Sequence, residues 1–130
     1  MRCFFTVVDQ NFLPGAAALM RSVQEFFPES HCIIRVHEAR KLVDRWANKL
    51  DVADLLVGRD AEMQAAEEYY KIVFSRYDVE DLPGDYLIYV DADAVLTGRV
   101  DALLSVPAGK LGLVSEQHQA YTFRDQFLDN

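Results

Sequence analysis

Two short polar clusters, each placed directly after an apolar run, carry most of the chemistry this sequence offers. One is Asp91-Ala92-Asp93, which follows Tyr86-Leu87-Ile88-Tyr89-Val90. In extended backbone, residues two apart project to the same side, so Asp91 and Asp93 are expected to aim both carboxylates at one point while Ala92 faces inward. Carboxylates that close repel unless a cation, a proton or an arginine lies between them. A hard divalent ion with oxygen ligands answers that demand, and it commonly keeps waters or substrate phosphates as further ligands. The bland alternative is a pair of solvated or capping carboxylates at a strand end, since a bare Asp-x-Asp occurs by chance in acidic chains.

The other cluster is Asp9-Gln10-Asn11-Phe12, after the run Cys3 to Val8. Asp9 and Asn11 could hold a planar base by hydrogen bonds while Phe12 stacks on it. The same residues also suit a turn closed by local Asx-type hydrogen bonds. Lys71 lies one residue off the apolar stripe of a helical segment and could reach a phosphate, or could simply be solvated. His31, His37 and His118 have no spacing that makes a metal cluster. Cys3 and Cys32 each lie in an apolar segment and read as buried free thiols, too few for a disulfide framework. Neither has a histidine placed to activate it, and glycine-rich phosphate loops of the GxGxxG or GxxxxGK type are absent from the sequence.

The elements that must position these groups alternate in period. Cys3–Val8 is a near-continuous apolar run, as expected of a parallel strand covered on both faces, and Cys32–Val36, Leu55–Val57 and Tyr86–Val90 read as further strands. Asp9 to Gly15 is turn-rich. It leads into a helix with Ala16, Leu19, Met20, Val23 and Phe27 on its apolar face, stopped by Pro28. Ala39, Leu42, Val43, Trp46 and Leu50 mark a second helix. Met63, Ala66, Tyr70, Val73, Phe74 and Tyr77 mark a third. Pro83-Gly84 turns the chain into the fourth strand. A turn at Thr97-Gly98, a short helix around Val100 to Leu104 and a strand at Leu111 to Ser115 follow. Such units imply an α/β fold, a mostly parallel sheet with helices on both faces in an α/β/α sandwich. In such sheets, ligands bind at the carboxyl ends of strands.

The chain has 130 residues, 51% of them hydrophobic, and a formal net charge of −8. That length suits a single domain over residues 1–130 with a sizeable core. The acidity argues against nucleic acid as a partner, because phosphate backbones are bound by Lys and Arg. An acidic chain that handles phosphates needs a bound metal or a few well-placed cations. No apolar run approaches the roughly 20 residues of a transmembrane segment. Cys3 to Val8 is too short for the core of a signal peptide, so the cytoplasm is the expected location.

Taken together, these features resemble the retaining glycosyltransferases of family 8, the glycogenin-like and bacterial galactosyltransferase group with the GT-A fold. Phe5 to Phe12 and the helix reaching Arg21-Ser22-Val23 are similar to the family's first strand, nucleotide turn and helix. Tyr70-Lys71-Ile72 resembles its Lys-Leu element. Leu87 to Leu96 looks like its signature strand and metal motif, and Val100 to Leu104 like the short helix after it. The resemblance implies a UDP-sugar donor, with Asp9 and Asn11 bordering the uracil or ribose and Phe12 in place of a stacking aromatic. Lys71 would contact a phosphate or the sugar. Asp91 would touch the ribose and the metal, and Asp93 would bind the metal, usually Mn2+, with Mg2+ as the other choice. The implied reaction moves a hexose to an unknown acceptor (a saccharide, a lipid-linked sugar or a protein). Gln10 stands where many relatives have a second acid. Relatives run to about twice this length, as the resemblance implies, and their later half supplies the acceptor site and a metal-binding histidine. The chain is therefore expected to be a nucleotide-binding half, a compact member or a truncation.

Two rival readings use the same residues. One is a module that binds nucleotide sugar without turning it over. The other is a phosphatase of the haloacid dehalogenase type, in which the first Asp of Asp-x-Asp is a nucleophile and the second an acid. That motif normally opens its fold, whereas here three strand–helix units precede it.

Overall fold

A computed structural model describes residues 1–36, 53–57 and 79–112. Four strands, β1 (Arg2–Val8), β2 (His31–Val36), β3 (Asp54–Val57) and β4 (Tyr86–Tyr89), form one sheet in the order β3-β2-β1-β4. Every pairing is parallel. The expected fold class, an α/β protein built on a parallel sheet, is therefore what the chain adopts.

Helix α1 (Leu13–Phe26) lies against β1 and β2, burying Leu13, Ala16, Leu19, Met20 and Val23. It starts earlier than the periodicity implied. Pro14 and Gly15 belong to its first turn, where a proline's missing N–H is not needed by the helix. The stop at Pro28 holds: Phe27 leaves helical geometry while its N–H still bonds the Val23 carbonyl at 2.7 Å. On this face of the sheet Phe4 meets Phe27, with ring centroids 5.2 Å apart.

Alternation sends Cys3, Phe5, Val7 and Ile33 to the opposite face, where they pack with Leu82, Val79, Leu87 and Tyr89. β1 is thus buried on both sides, which is why it reads as a continuous apolar run. The same face holds a charge. Arg35, opposite Val7 in the register, is fully buried and donates to the Asp81 carboxylate.

The turn into β4 needs Gly84, whose φ of 108° lies in the left-handed region. The Met1 carbonyl accepts from Asp85 and Tyr86 N–H there. The chain groups into two compact units, Met1–Arg99 and Val100–Asn130, and all the elements above belong to the first. In the second, a short 3₁₀ helix spans Asp101–Leu104 and matches the expected short helix. The expected strand at Leu111 to Ser115 begins with two residues that carry no strand structure, and its other residues lie outside those described. The helices expected around residues 39–50 and 63–77, which would complete the cover of both faces, also lie outside them. Among the described residues, no helix is long and apolar enough to cross a membrane.

Candidate functional site

The strand order reverses at β1. The chain runs from β1 outward to β2 and β3, then returns to place β4 on the other flank of β1. In a parallel sheet that reversal opens a crevice at the carboxyl ends of the two diverging strands. Both polar clusters lie there: Asp9 directly follows β1, and Asp91 comes two residues after β4 ends at Tyr89.

β4 pairs with β1 through Phe5↔Tyr89, and one further bond, Val90 N–H to the Phe5 carbonyl at 3.1 Å, extends the ladder. Pairing then lapses. The expected extended geometry of Asp91-Ala92-Asp93 is not what the chain adopts: Ala94 N–H donates to the Asp91 carbonyl at 3.1 Å and closes a turn over residues 91–94. Beyond the last of these bonds, no ladder partner is found among the described residues, and aspartate is favoured at the first position of such turns. Asp91 and Asp93 are therefore first and third residues of a turn, both exposed. Tyr89 Oη donates to Asp91 Oδ1 at 2.8 Å.

Asp9 caps a 3₁₀ turn at Gln10–Phe12. Its Oδ1 accepts from Asn11 N–H at 2.8 Å and from Phe12 N–H at 3.2 Å. This is the local Asx-type arrangement, and it commits one oxygen of Asp9 to the backbone. Asn11 is exposed, and Phe12 is 57% exposed. Lys71 lies outside the described residues.

The loop that follows Asp91 runs along α1 and is fixed to it at three places that sequence reasoning had not singled out. At the first turn of α1, the position a Gly15 Cβ would take is only 2.8 Å from the Ala92 carbonyl oxygen. Midway, Ser22 Oγ accepts from Leu96 N–H at 2.9 Å while donating to the Leu19 carbonyl at 2.6 Å. At the far end, Arg99 donates to the Phe26 carbonyl at 3.1 Å, pairs with Glu29 at 3.2 Å and lies 4.6 Å above the Phe27 ring. Glu29 is held below the usual carboxylate range, chiefly by backbone hydrogen bonding and also by Arg99 and Arg2. None of these fixings was legible in the sequence, where Pro14-Gly15 reads as part of a turn rather than of a helix. Tyr89 was legible in principle, because strand alternation sends it to the same side as Asp91.

Ser22 tests this attachment. Ser22→Ala strands the partly buried Leu96 N–H, which costs roughly 1–2 kcal/mol. Urea denaturation should show that loss, and amide exchange at Leu96 should accelerate. Unchanged protection at Leu96 would mean that the hydroxyl does not hold the loop.

Both cysteines are buried and free, as expected. Burial pushes the Cys3 and Cys32 thiols up to about 11, so neither is poised as a nucleophile. Among the described residues, no group of three or more His, Cys, Asp or Glu side chains could hold a metal ion.

No family model matches the sequence. No curated protein matches it. Among solved structures, the crystal structure of S. aureus TarS 1-349 aligns with a TM-score of 0.45 and 14% identity, over 80% of this chain and 30% of that one. The chain therefore spans less than a third of the length of that structure.

Proposed function

We propose that the chain is the nucleotide-sugar-binding part of a metal-dependent glycosyltransferase that moves a hexose from a UDP-sugar to an acceptor. One observation carries this reading: the two polar strand ends, Asp9-Gln10-Asn11-Phe12 and Asp91-Ala92-Asp93, flank the point where the strand order reverses. That crevice is where parallel sheets bind nucleotides.

The exposed Phe12 ring offers a stacking surface for a uracil, with Asn11 beside it for hydrogen bonds. Asp9, with one oxygen tied to the backbone, shapes this turn and has its second oxygen for the base or ribose. Lys71 is assigned to a phosphate or the sugar on the resemblance of Tyr70-Lys71-Ile72 alone.

Asp91 and Asp93 are the residues that would hold Mn2+ or Mg2+. Two exposed carboxylates suit such an ion, which typically takes one or two carboxylates and completes its shell with water and substrate phosphates. When bound, the ion supplies Lewis-acid stabilisation of the charge that develops on a departing diphosphate, an effect on the order of several kcal/mol. In a chain of net charge −8, that neutralisation is the main requirement for holding a diphosphate.

Thermal unfolding with UDP, with and without Mn2+, tests the reading on the parent and on Asp93→Asn. At a ligand concentration 100 times Kd the folded state gains about 2.7 kcal/mol, enough for a clear rise in Tm. The rise should need both UDP and Mn2+ and vanish in Asp93→Asn. No response of the parent in any condition would sink the proposal. Release of sugar from UDP-glucose or UDP-galactose separates an enzyme from a binding module. Phosphomonoester hydrolysis lost in Asp91→Asn would select the phosphatase instead.

A further inference from the structure

We propose that Tyr89 is a positioning residue, which presets the Asp91 carboxylate for a divalent cation; the inference rests on the metal reading above. Asp91 lies on an exposed turn after the strand pairing has lapsed, so its own backbone does little to fix the side chain. Tyr89 is anchored much better. It is the last residue of β4 and sits in register with Phe5. Its ring packs edge-on against Phe5, with centroids 5.4 Å apart and an interplanar angle of 62°. Phe5 is itself buried in the cluster of Cys3, Val7, Ile33 and Leu82. The hydroxyl at the end of this braced ring donates to Asp91 Oδ1 at 2.8 Å.

The chemistry of that bond favours metal binding over mere capping. A phenol O–H donating to a carboxylate leaves the charge in place and occupies one of its roughly four lone-pair directions. It therefore restricts the side chain without neutralising it. Hydrogen-bond partners behind a ligating carboxylate fix its orientation, and their loss typically weakens metal affinity about 10- to 100-fold. The restraint comes from a neutral hydroxyl, so the bond itself leaves the negative charge of Asp91 in place for a cation.

Tyr89→Phe removes one oxygen and keeps the ring on Phe5. Mn2+ binding, followed by the electron paramagnetic resonance signal of free Mn2+ with and without UDP, should weaken by about 10-fold or more in this variant. Its metal-free Tm should stay within a degree or so of the parent's. In an Asp91→Asn background the same substitution should leave the residual Mn2+ affinity unchanged, because the hydroxyl then has no ligand to orient.

Parent-like Mn2+ affinity in Tyr89→Phe would overturn the proposal and leave the metal reading standing. A large loss of metal-free Tm, or an equal loss of affinity in the Asp91→Asn background, would make Tyr89 a structural residue and also overturn it. A parent that binds no Mn2+ with or without UDP would overturn the metal reading, and this inference with it.

Discussion

Asp81→Ala is expected to destabilise the protein by about 3 kcal/mol, because it strips a buried arginine of a carboxylate partner. The Arg35 side chain is fully buried, and its NH2 group bonds an Asp81 carboxylate that is 29% exposed. Removing one member of a buried pair typically costs about 3–5 kcal/mol, since the surviving charge stays in the interior without its water. Partial exposure of Asp81 places the expectation at the lower end. The converse change should be milder: Arg35→Met removes the buried charge, keeps an apolar side chain of comparable length and leaves a partly exposed Asp81 carboxylate that water can reach. Both groups have contacts beyond this pair, so the double variant isolates the coupling better than either single one. In urea denaturation, Asp81→Ala with Arg35→Met should be more stable than Asp81→Ala alone. If Asp81→Ala costs under about 1 kcal/mol, the pair is not what holds this region.

The pair bears on the site through β4. Asp81 adjoins Leu82, which packs into the cluster of Cys3, Phe5, Val7 and Ile33, and the same segment leads through Gly84 into β4. Loosening it loosens the strand that ends beneath Asp91. A Tyr89→Phe-like fall in Mn2+ affinity, accompanied by lost stability, is therefore the expected signature of Asp81→Ala. The stability readout distinguishes it from loss of the hydroxyl itself.

How far the sequence disclosed these features depends on the range over which each is decided. β1 and β2 were legible because burial leaves few polar residues in either run, and Phe4, Phe5, Ile33 and Ile34 show it directly; β4, only partly buried, was legible from its unbroken apolar and aromatic run. The end of α1 was legible because proline cannot continue a helix. Its beginning was misjudged because Pro14-Gly15 carries the composition of a turn, yet both residues are tolerated in a first helical turn. That Asp9 and Asp91 each follow an apolar strand could be read from the chain. That their strands are neighbours could not, because strand order is set by packing between distant segments. The extended geometry assumed for Asp91-Ala92-Asp93 failed for a related reason: it presumed a ladder partner beyond Phe5, and the pairing stops there. The buried charge of Arg35 had no local signal, since its partner Asp81 lies 46 residues away.

Gly15→Ala should reduce stability, although it replaces a poor helix former with the best one. Two effects of opposite sign meet at this position. Alanine in place of glycine within a helix favours folding by up to about 1 kcal/mol. Its Cβ, however, would stand 2.8 Å from the Ala92 carbonyl oxygen, which belongs to backbone and cannot swing aside like the end of a long side chain. Relieving such a contact moves α1 or the Asp91 turn, and overpacking of this kind costs roughly 1–3 kcal/mol. The clash should outweigh the propensity gain, for a net loss of about 1 kcal/mol, with Gly15→Val losing more. Ala18 provides the reference, since it is exposed on the same helix and Ala18→Gly measures propensity without the contact. The functional consequence follows from which atom is struck. Ala92 lies between Asp91 and Asp93, so any displacement there alters the relation of the two carboxylates. Mn2+-dependent stabilisation by UDP should therefore fall in Gly15→Ala by more than its loss of stability accounts for. A Gly15→Ala variant more stable than the parent, with unchanged Mn2+ binding, would show that the turn yields freely. The close approach of α1 would then have no part in shaping the acidic turn.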